Sequence, residues 1–163
     1  MCLVPDHEIA ELMRQNRLRI EGYVEEGLTP NGYDLRVAEV RCAGTDVTVK
    51  NGTAVIDPMQ MFYISTAERV ELPDDIAAQL WTRTSWIRKG LLMGYGKVDA
   101  GFHGTLTFAG LNASPNAVEI PIGSRFTQIV FEKMHSQVSK TYEKRSGNYQ
   151  GQRGITLQPG NKP

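Results

Sequence analysis

Residues 47–56 read Val-Thr-Val-Lys-Asn-Gly-Thr-Ala-Val-Ile, and this stretch points first to the fold class. Val47 and Val49 precede the Asn51-Gly52 pair; Val55 and Ile56 follow it. Asn-Gly accepts the left-handed backbone of a tight two-residue turn, so the pattern predicts a β-hairpin. Working outward, short β-rich runs occur at Met61 to Ser65, Leu80 to Thr84, Thr105 to Leu111, Val118 to Ile120 and Arg125 to Phe131. Turn clusters separate them, among them Leu72-Pro73-Asp74-Asp75, Gly101 to Gly104, Asn112 to Asn116 and Pro121-Ile122-Gly123. One segment has helical spacing: Asp6 is placed to cap it, Glu8 suits its first turn, and Ile9, Leu12 and Met13 recur until Asn16. Many short strands with one amino-terminal helix predict an all-β fold, a distorted jelly roll or β-barrel. With no repeat and no second core, residues 1–143 are expected to form a single β domain.

The 163 residues suffice to bury a core without staples. Cys2 and Cys42 could close at most one disulfide, so free thiols in a reducing compartment are expected. No run approaches the ~20 apolar residues of a membrane span, and MCLVPDHEIAELM lacks the basic-then-apolar layout of a signal peptide. A soluble, cytoplasmic protein without a membrane partner is the expectation. Eighteen basic and 18 acidic residues give zero formal charge, which argues against bulk capture of polymeric nucleic acid. The balance hides an asymmetry: residues 132–163 hold six basic and two acidic side chains, a net +4 that leaves −4 on the rest. Residues 144–163, KRSGNYQGQRGITLQPGNKP, have Tyr149, Ile155 and Leu157 as their sizeable apolar groups. They are predicted to be a flexible basic tail, either solvated or ordering as a lid over an anionic ligand in the active site.

Several chemistries are excluded by what is missing. His7, His103 and His135 have no partners at metal spacing and there is no Cys-x-x-Cys, which removes zinc hydrolases and zinc deaminases. There is no phosphate-loop motif, Gly94-Tyr95-Gly96 lacks the third glycine of a dinucleotide fingerprint, and no Gly-x-Ser-x-Gly elbow occurs. What remains is a set of polar groups lodged among strands: Asp34, the Arg83, Thr84, Ser85 and Arg88 group in RTSWIRKG, Asp99 in KVDAGFHG, and Gln128 in RFTQIVF. Guanidinium forks and hydroxyls suit phosphate oxygens. Singly, each is as readily a capped turn, a surface arginine or a satisfied core amide.

Their order and spacing carry more. Asn31-Gly32-Tyr33-Asp34-Leu35-Arg36, ISTAERVELPDDIAAQLWTRTSWIRKG, GKVDAGFHGTLTFAGLN, PIGSRFTQIVF and YEKRSGNYQGQRG together resemble the superfamily of dUTP pyrophosphatases and dCTP deaminases. The resemblance implies a distorted jelly roll of the dUTPase-like kind, assembled as a homotrimer with active sites at subunit boundaries. It also implies a deoxyribonucleoside triphosphate, dUTP or dCTP, as substrate, bound with Mg²⁺. By motif, Asp99 matches the aspartate that positions or deprotonates the attacking water, and Phe102 the ring beneath the deoxyribose. Arg83, Thr84, Ser85 and Arg88 match the phosphate-binding motif, Gln128 a glutamine near the phosphates, and Asp34 the aspartate that holds hydrated magnesium. In the tail, Tyr142, Tyr149 and Gln152 match triphosphate-contacting positions of the deaminases, whereas Asn148 stands where those often have lysine.

One departure bears on the reaction. Deaminases of this superfamily carry a general acid/base glutamate five residues beyond the second glycine of Gly-x-x-Gly; here that position is Ala109. A methyl relays no proton, and such groups contribute ~10²–10⁴ in rate. The expectation is therefore a dUTP diphosphatase of the archaeal-type branch, releasing dUMP and pyrophosphate by Mg²⁺-assisted in-line water attack at the α-phosphate. The alternatives are a zinc-free dCTP deaminase, mono- or bifunctional, favoured by the tail, and a non-catalytic nucleotide-binding regulator.

Overall fold

The computed structural model describes residues 2–160. In chain order its elements are β1 (Cys2–Leu3), α1 (Asp6–Arg14), β2 (Arg19–Glu21), β3 (Leu28–Thr29), β4 (Gly32–Cys42), β5 (Thr48–Val49), β6 (Thr53–Ile56), β7 (Met61–Thr66), β8 (Arg69–Glu71) and β9 (Ile76–Thr82). There follow α2 (Thr84–Ile87), β10 (Leu91–Gly94), β11 (Lys97–Val98), β12 (His103–Gly104), β13 (Thr107–Asn112), β14 (Val118–Pro121), β15 (Arg125–Lys133) and α3 (Tyr142–Arg145). The main sheet runs β10-β13-β7-β4-β15-β9-β11, with β1 on β15 and both β3 and β5 on β4. Two small sheets, β12-β8-β2 and β14-β6, complete the curled all-β body expected from the sequence.

Alternation sets which side chains go inward. In β6 and β14 every second residue is buried, so Ala54, Ile56, Val118 and Ile120 enter the core while their neighbours face out. Tyr33, Phe62, Phe126 and Phe131 are fully buried and anchor one continuous core. Burying a large apolar side chain contributes roughly 1.5–3 kcal/mol. Helix α1 adds Ile9 and Leu12 to this core.

The structure differs from expectation in instructive places. The Asn51-Gly52 turn forms, with Gly52 at φ 76°, but it does not close a hairpin. Strand β5 pairs with β4 (Val40 opposite Val49), whereas β6 pairs with β14 (Ile56 opposite Val118). The buried Ala54–Ile120 and Ile56–Val118 partnership takes β6 away from its sequence neighbour. Pro5, not Asp6, holds the amino-cap position of α1, and Asp6 instead takes the His7 N–H at 2.7 Å. The run around Leu80 is the end of a longer strand that starts at Ile76, and Thr84 already belongs to α2.

Strand β4 was not anticipated as a strand. Its first half pairs with β15 (Asp34 opposite Gln128, Arg36 opposite Arg125), and its second half with β7. Between Val37 and Glu39 the pairing with β7 shifts register, as a bulge of one residue does. Beside it Glu68 is wholly buried: Arg36 donates to it from its backbone N–H (2.8 Å) and from Nε (2.6 Å), and Arg36 Nη2 reaches the Gly22 carbonyl at 2.7 Å. The carboxylate in turn raises the Arg36 guanidinium further above its ordinary value, chiefly through the hydrogen bond.

Candidate active site

The residues singled out from the sequence fall into two groups. The first surrounds Asp34 on β4. Its Oδ2 forms an ion pair with Arg83, Nε lying 2.8 Å away, and has Arg125 Nη1 at 3.8 Å, and Gln128 Nε2 lies 3.5 Å from Oδ1 while donating to Thr29 Oγ1 at 3.0 Å. Burial pushes the Asp34 carboxyl above its usual value, against the pull of both guanidiniums and the Gln128 amide. Arg83 is held a second time by the Arg125 carbonyl, which also accepts from the Trp86 indole. With Thr84, Ser85 and the exposed Trp81, these groups line a shallow depression at the end of β9. Arg88, one turn further along, points elsewhere, beside Ser114 and Asn116.

The second group surrounds Asp99. A cavity of about 370 Å³ opens between the end of β11, β13 and the carboxy-terminal segment. Leu80, Val98, Leu106 and Phe108 make it apolar, and Asp99 is its one carboxylate among the described residues. Phe102 is buried and meets Tyr142 edge-on, with ring centroids 5.5 Å apart. Tyr142, Tyr149 and Gln152 all line this cavity, so the tail positions and Phe102 do come together. Ala109 lines it too, opposite Gly94 on β10 and Tyr63 on β7.

The two groups do not share a cavity within one chain. Val98 pairs with Ala78, whereas Gln128 pairs with Trp81, three residues further along β9. At about 3.3 Å per residue this separates base-side and phosphate-side groups by roughly 10 Å along the strand. Magnesium does not fit the Asp34 carboxylate as it stands, because two guanidiniums and an amide already occupy its surroundings. Among the described residues no three His, Cys, Asp or Glu side chains converge as metal ligands.

The carboxy-terminal segment, expected to be either a solvated tail or a lid, is described over residues 144–160; Lys162, counted in its charge, lies outside them. It lies along residues 103–107 and bonds to them in order. Gly151 N donates to His103 O at 2.8 Å, Thr105 N to Gln152 O at 3.0 Å, and Thr107 Oγ1 to Gly154 O at 3.1 Å. Glu39 of β4 then accepts the Ile155 N–H. Backbone groups hold this segment, so its scarcity of apolar side chains did not decide its order, and its charged Lys144, Arg145 and Arg153 are exposed. Sequence reasoning did not single out Tyr63, Thr107, Glu39 or Gln150; polar residues of alternating strands and a lone amide in a glycine-rich run carry little signal by themselves.

The body is thus an all-β jelly roll that carries an apolar cavity with one acid and, apart from it, a cluster of arginine and hydroxyl groups. Residues 3–134 match the family model described as dCTP deaminase-like, and the chain belongs to that family. It is 42% identical over 151 residues to a dCTP deaminase of Pyrococcus horikoshii, covering 91% of this chain and 92% of that one. It is 38% identical over 157 residues to a dCTP deaminase of Thermococcus kodakarensis, covering 95% and 96%. Among solved structures, the dCTP deaminase of Agrobacterium tumefaciens superposes with a TM-score of 0.70 at 20% identity, over 82% of this chain and 49% of that one, so this chain spans about half its length. The dUTPase of Staphylococcus bacteriophage 80alpha gives 0.54 at 22% identity over 77% and 95%; these two likenesses speak to the fold.

These findings correct the functional expectation. Relatives at 36–42% identity over most of the chain carry the name dCTP deaminase, not dUTP diphosphatase. The inference from Ala109 assumed that a single position must carry the proton work. The cavity that Ala109 lines also holds the carboxylate of Asp99.

Proposed function

We propose that this protein is a zinc-free dCTP deaminase that converts dCTP and water to dUTP and ammonia. The observation that carries this reading is the 42% identity, over nine-tenths of both chains, to a relative of that name. The cavity supports it by offering an apolar slot for a pyrimidine ring, with Phe102 flooring the sugar and Asp99 as acid/base. In this scheme Asp99 takes a proton from water as the oxygen bonds to C4 and passes it to ring N3. The proton of the new hydroxyl goes to the departing amino nitrogen, the C4–N bond breaks, and ammonia leaves. Tyr149, Gln152 and Tyr142 close the cavity from the tail, and Arg83, Thr84, Ser85 and Gln128 receive the triphosphate.

Because the phosphate-side and base-side groups lie apart on one chain, the complete site is assembled between copies. A homotrimer with the site at each boundary is the proposed assembly, and the exposed Trp81 and Ile87 flank the phosphate-side groups where a neighbour would approach. The test is product analysis with dCTP and with dUTP, following ammonia release. Ammonia from dCTP, reduced ~10²–10⁴-fold in Asp99→Asn, is the expected result. Absence of ammonia would overturn the activity, and undiminished turnover in Asp99→Asn would overturn the role of that carboxylate. Sedimentation of the intact protein as a monomer would overturn the shared site.

A further inference from the structure

His103 was noted in the sequence as a histidine with no metal partner, and the proposed chemistry does not use it. In the structure it meets the tail. Gln150 Nε2 donates both to the Gly101 carbonyl and to His103 Nδ1, at 2.9 Å each, while its Oε1 accepts the His103 backbone N–H at 3.2 Å. Gly151 N–H then bonds to His103 O at 2.8 Å. The residues on either side, Tyr149 and Gln152, line the substrate cavity. The amide between them is therefore aimed into the body of the protein and fixes where its neighbours stand.

We propose that Gln150 and His103 form a positioning pair that seats the tail on the substrate cavity and releases it when the imidazole is protonated. With Nε2 of Gln150 as donor, His103 Nδ1 must carry a lone pair, so the seated tail requires the neutral ring. An imidazolium places N–H against N–H. Turning the amide over offers no remedy, because Oε1 would then face the Gly101 carbonyl and Nε2 the His103 N–H, one attraction in place of three.

The surroundings of the ring favour the exchange. Across β12 and β8 the residue opposite His103 is Glu71, which is half-buried and has Arg19 of β2 at 3.6 Å. The turn before β12 contributes Asp99, four residues earlier. The tail offers the ring uncharged Gln150 and Gly151, and its next charged residue, Arg153, is exposed. A protonated ring thus loses its tail partner. Protonation of the ring and seating of the tail are therefore mutually exclusive.

The identity of the substrate rests on the proposed deaminase reading, but seating of the tail is measured without substrate. Hydrogen exchange of amides 151–156, corrected for the intrinsic pH dependence, is compared at pH 5.5 and pH 8 in the full chain, with β15 amides reporting fold integrity. Wild type should exchange about tenfold faster in the tail at pH 5.5, the scale of one or two ordinary hydrogen bonds lost. His103→Asn keeps an acceptor near the Nδ1 position and cannot titrate, so its tail should stay protected at both values. His103→Leu should lose protection at both. Equal protection of the wild-type tail at both pH values, or retained pH dependence in His103→Asn, would overturn the proposal. With dCTP, KM rather than kcat should rise at pH 5.5 in wild type and not in His103→Asn. Failure of deamination with the exchange pattern intact refutes the activity alone.

Discussion

Replacing Glu68 by Gln tests how the barrel carries its phosphate-side groups. The Glu68 side chain has no exposed area, and its partner Arg36 is 29% exposed. Glu68 Oε1 and Oε2 each accept one hydrogen bond from Arg36, from the side chain and from the backbone. An amide can accept only one of these; its NH₂ faces the other donor, and the guanidinium is left without a counter-charge. Breaking a buried pair from one side costs about 3–5 kcal/mol. At a chain of this length 1 kcal/mol moves the midpoint by about 2–4 °C, so a fall in Tm of roughly 6–20 °C is expected. The assay is urea unfolding, with an unchanged m-value showing that the compactness of both end states is preserved. The double replacement Arg36→Met with Glu68→Leu removes both charges and should recover part of the loss. Recovery is incomplete because the backbone N–H at position 36 still lacks its acceptor, at about 1–3 kcal/mol. A loss below about 1 kcal/mol in Glu68→Gln, or a double variant less stable than the single one, would refute this account.

Gly154 has φ 65°, and a Cβ there would lie 2.7 Å from Glu39 Oε1, so Gly154→Ala combines left-handed backbone strain of about 1–2 kcal/mol with a blocked contact to the acid that holds Ile155. Tail seating should weaken by about tenfold or more, read as a higher KM for dCTP with the melting temperature nearly unchanged. Burial holds the Asp34 carboxyl above its ordinary value, so the folded state binds the proton more tightly than the unfolded chain and this group's contribution to stability falls as pH rises through its folded pKa. Unfolding free energies of wild type minus Asp34→Asn should therefore decline from pH 4 to pH 7; a rise would show that Arg83 and Arg125 outweigh burial.

Much of the fold was legible because alternation and turn residues agree. Met61 to Ser65, Val118 to Ile120 and Arg125 to Phe131 each sit inside an observed strand. Strand β4 escaped because Gly32 to Leu35 are buried in succession, which leaves no alternation to read. The Asn51-Gly52 signal was locally right and globally misleading, since a turn says where the chain reverses and not which strand it meets. The candidate site residues could be located by motif, but their division into two groups depends on strand register between β11, β9 and β15. Composition left the tail open between a solvated terminus and a lid, because Gly151 and Gly154, at φ 73° and 65°, mark turns whose bonded path along residues 103–107 leaves no trace in composition.

The one-residue shift in β4 has a consequence for how the two halves of the protein are geared. Asp34 and Glu39 are five positions apart, an odd interval that in an uninterrupted strand would send them to opposite sides. The extra residue near Ala38 reverses that parity, letting a single rod hold Arg83 at one end and grip the tail at the other. The spacing between these two acids is thus a discrete setting, not a tolerance. Deleting Ala38 would remove the bulge together with the odd interval, so both acids would keep their common side, but Glu39 would be drawn about 3.3 Å along the strand from Ile155 and loosen its hold on the tail while Asp34 stays in place.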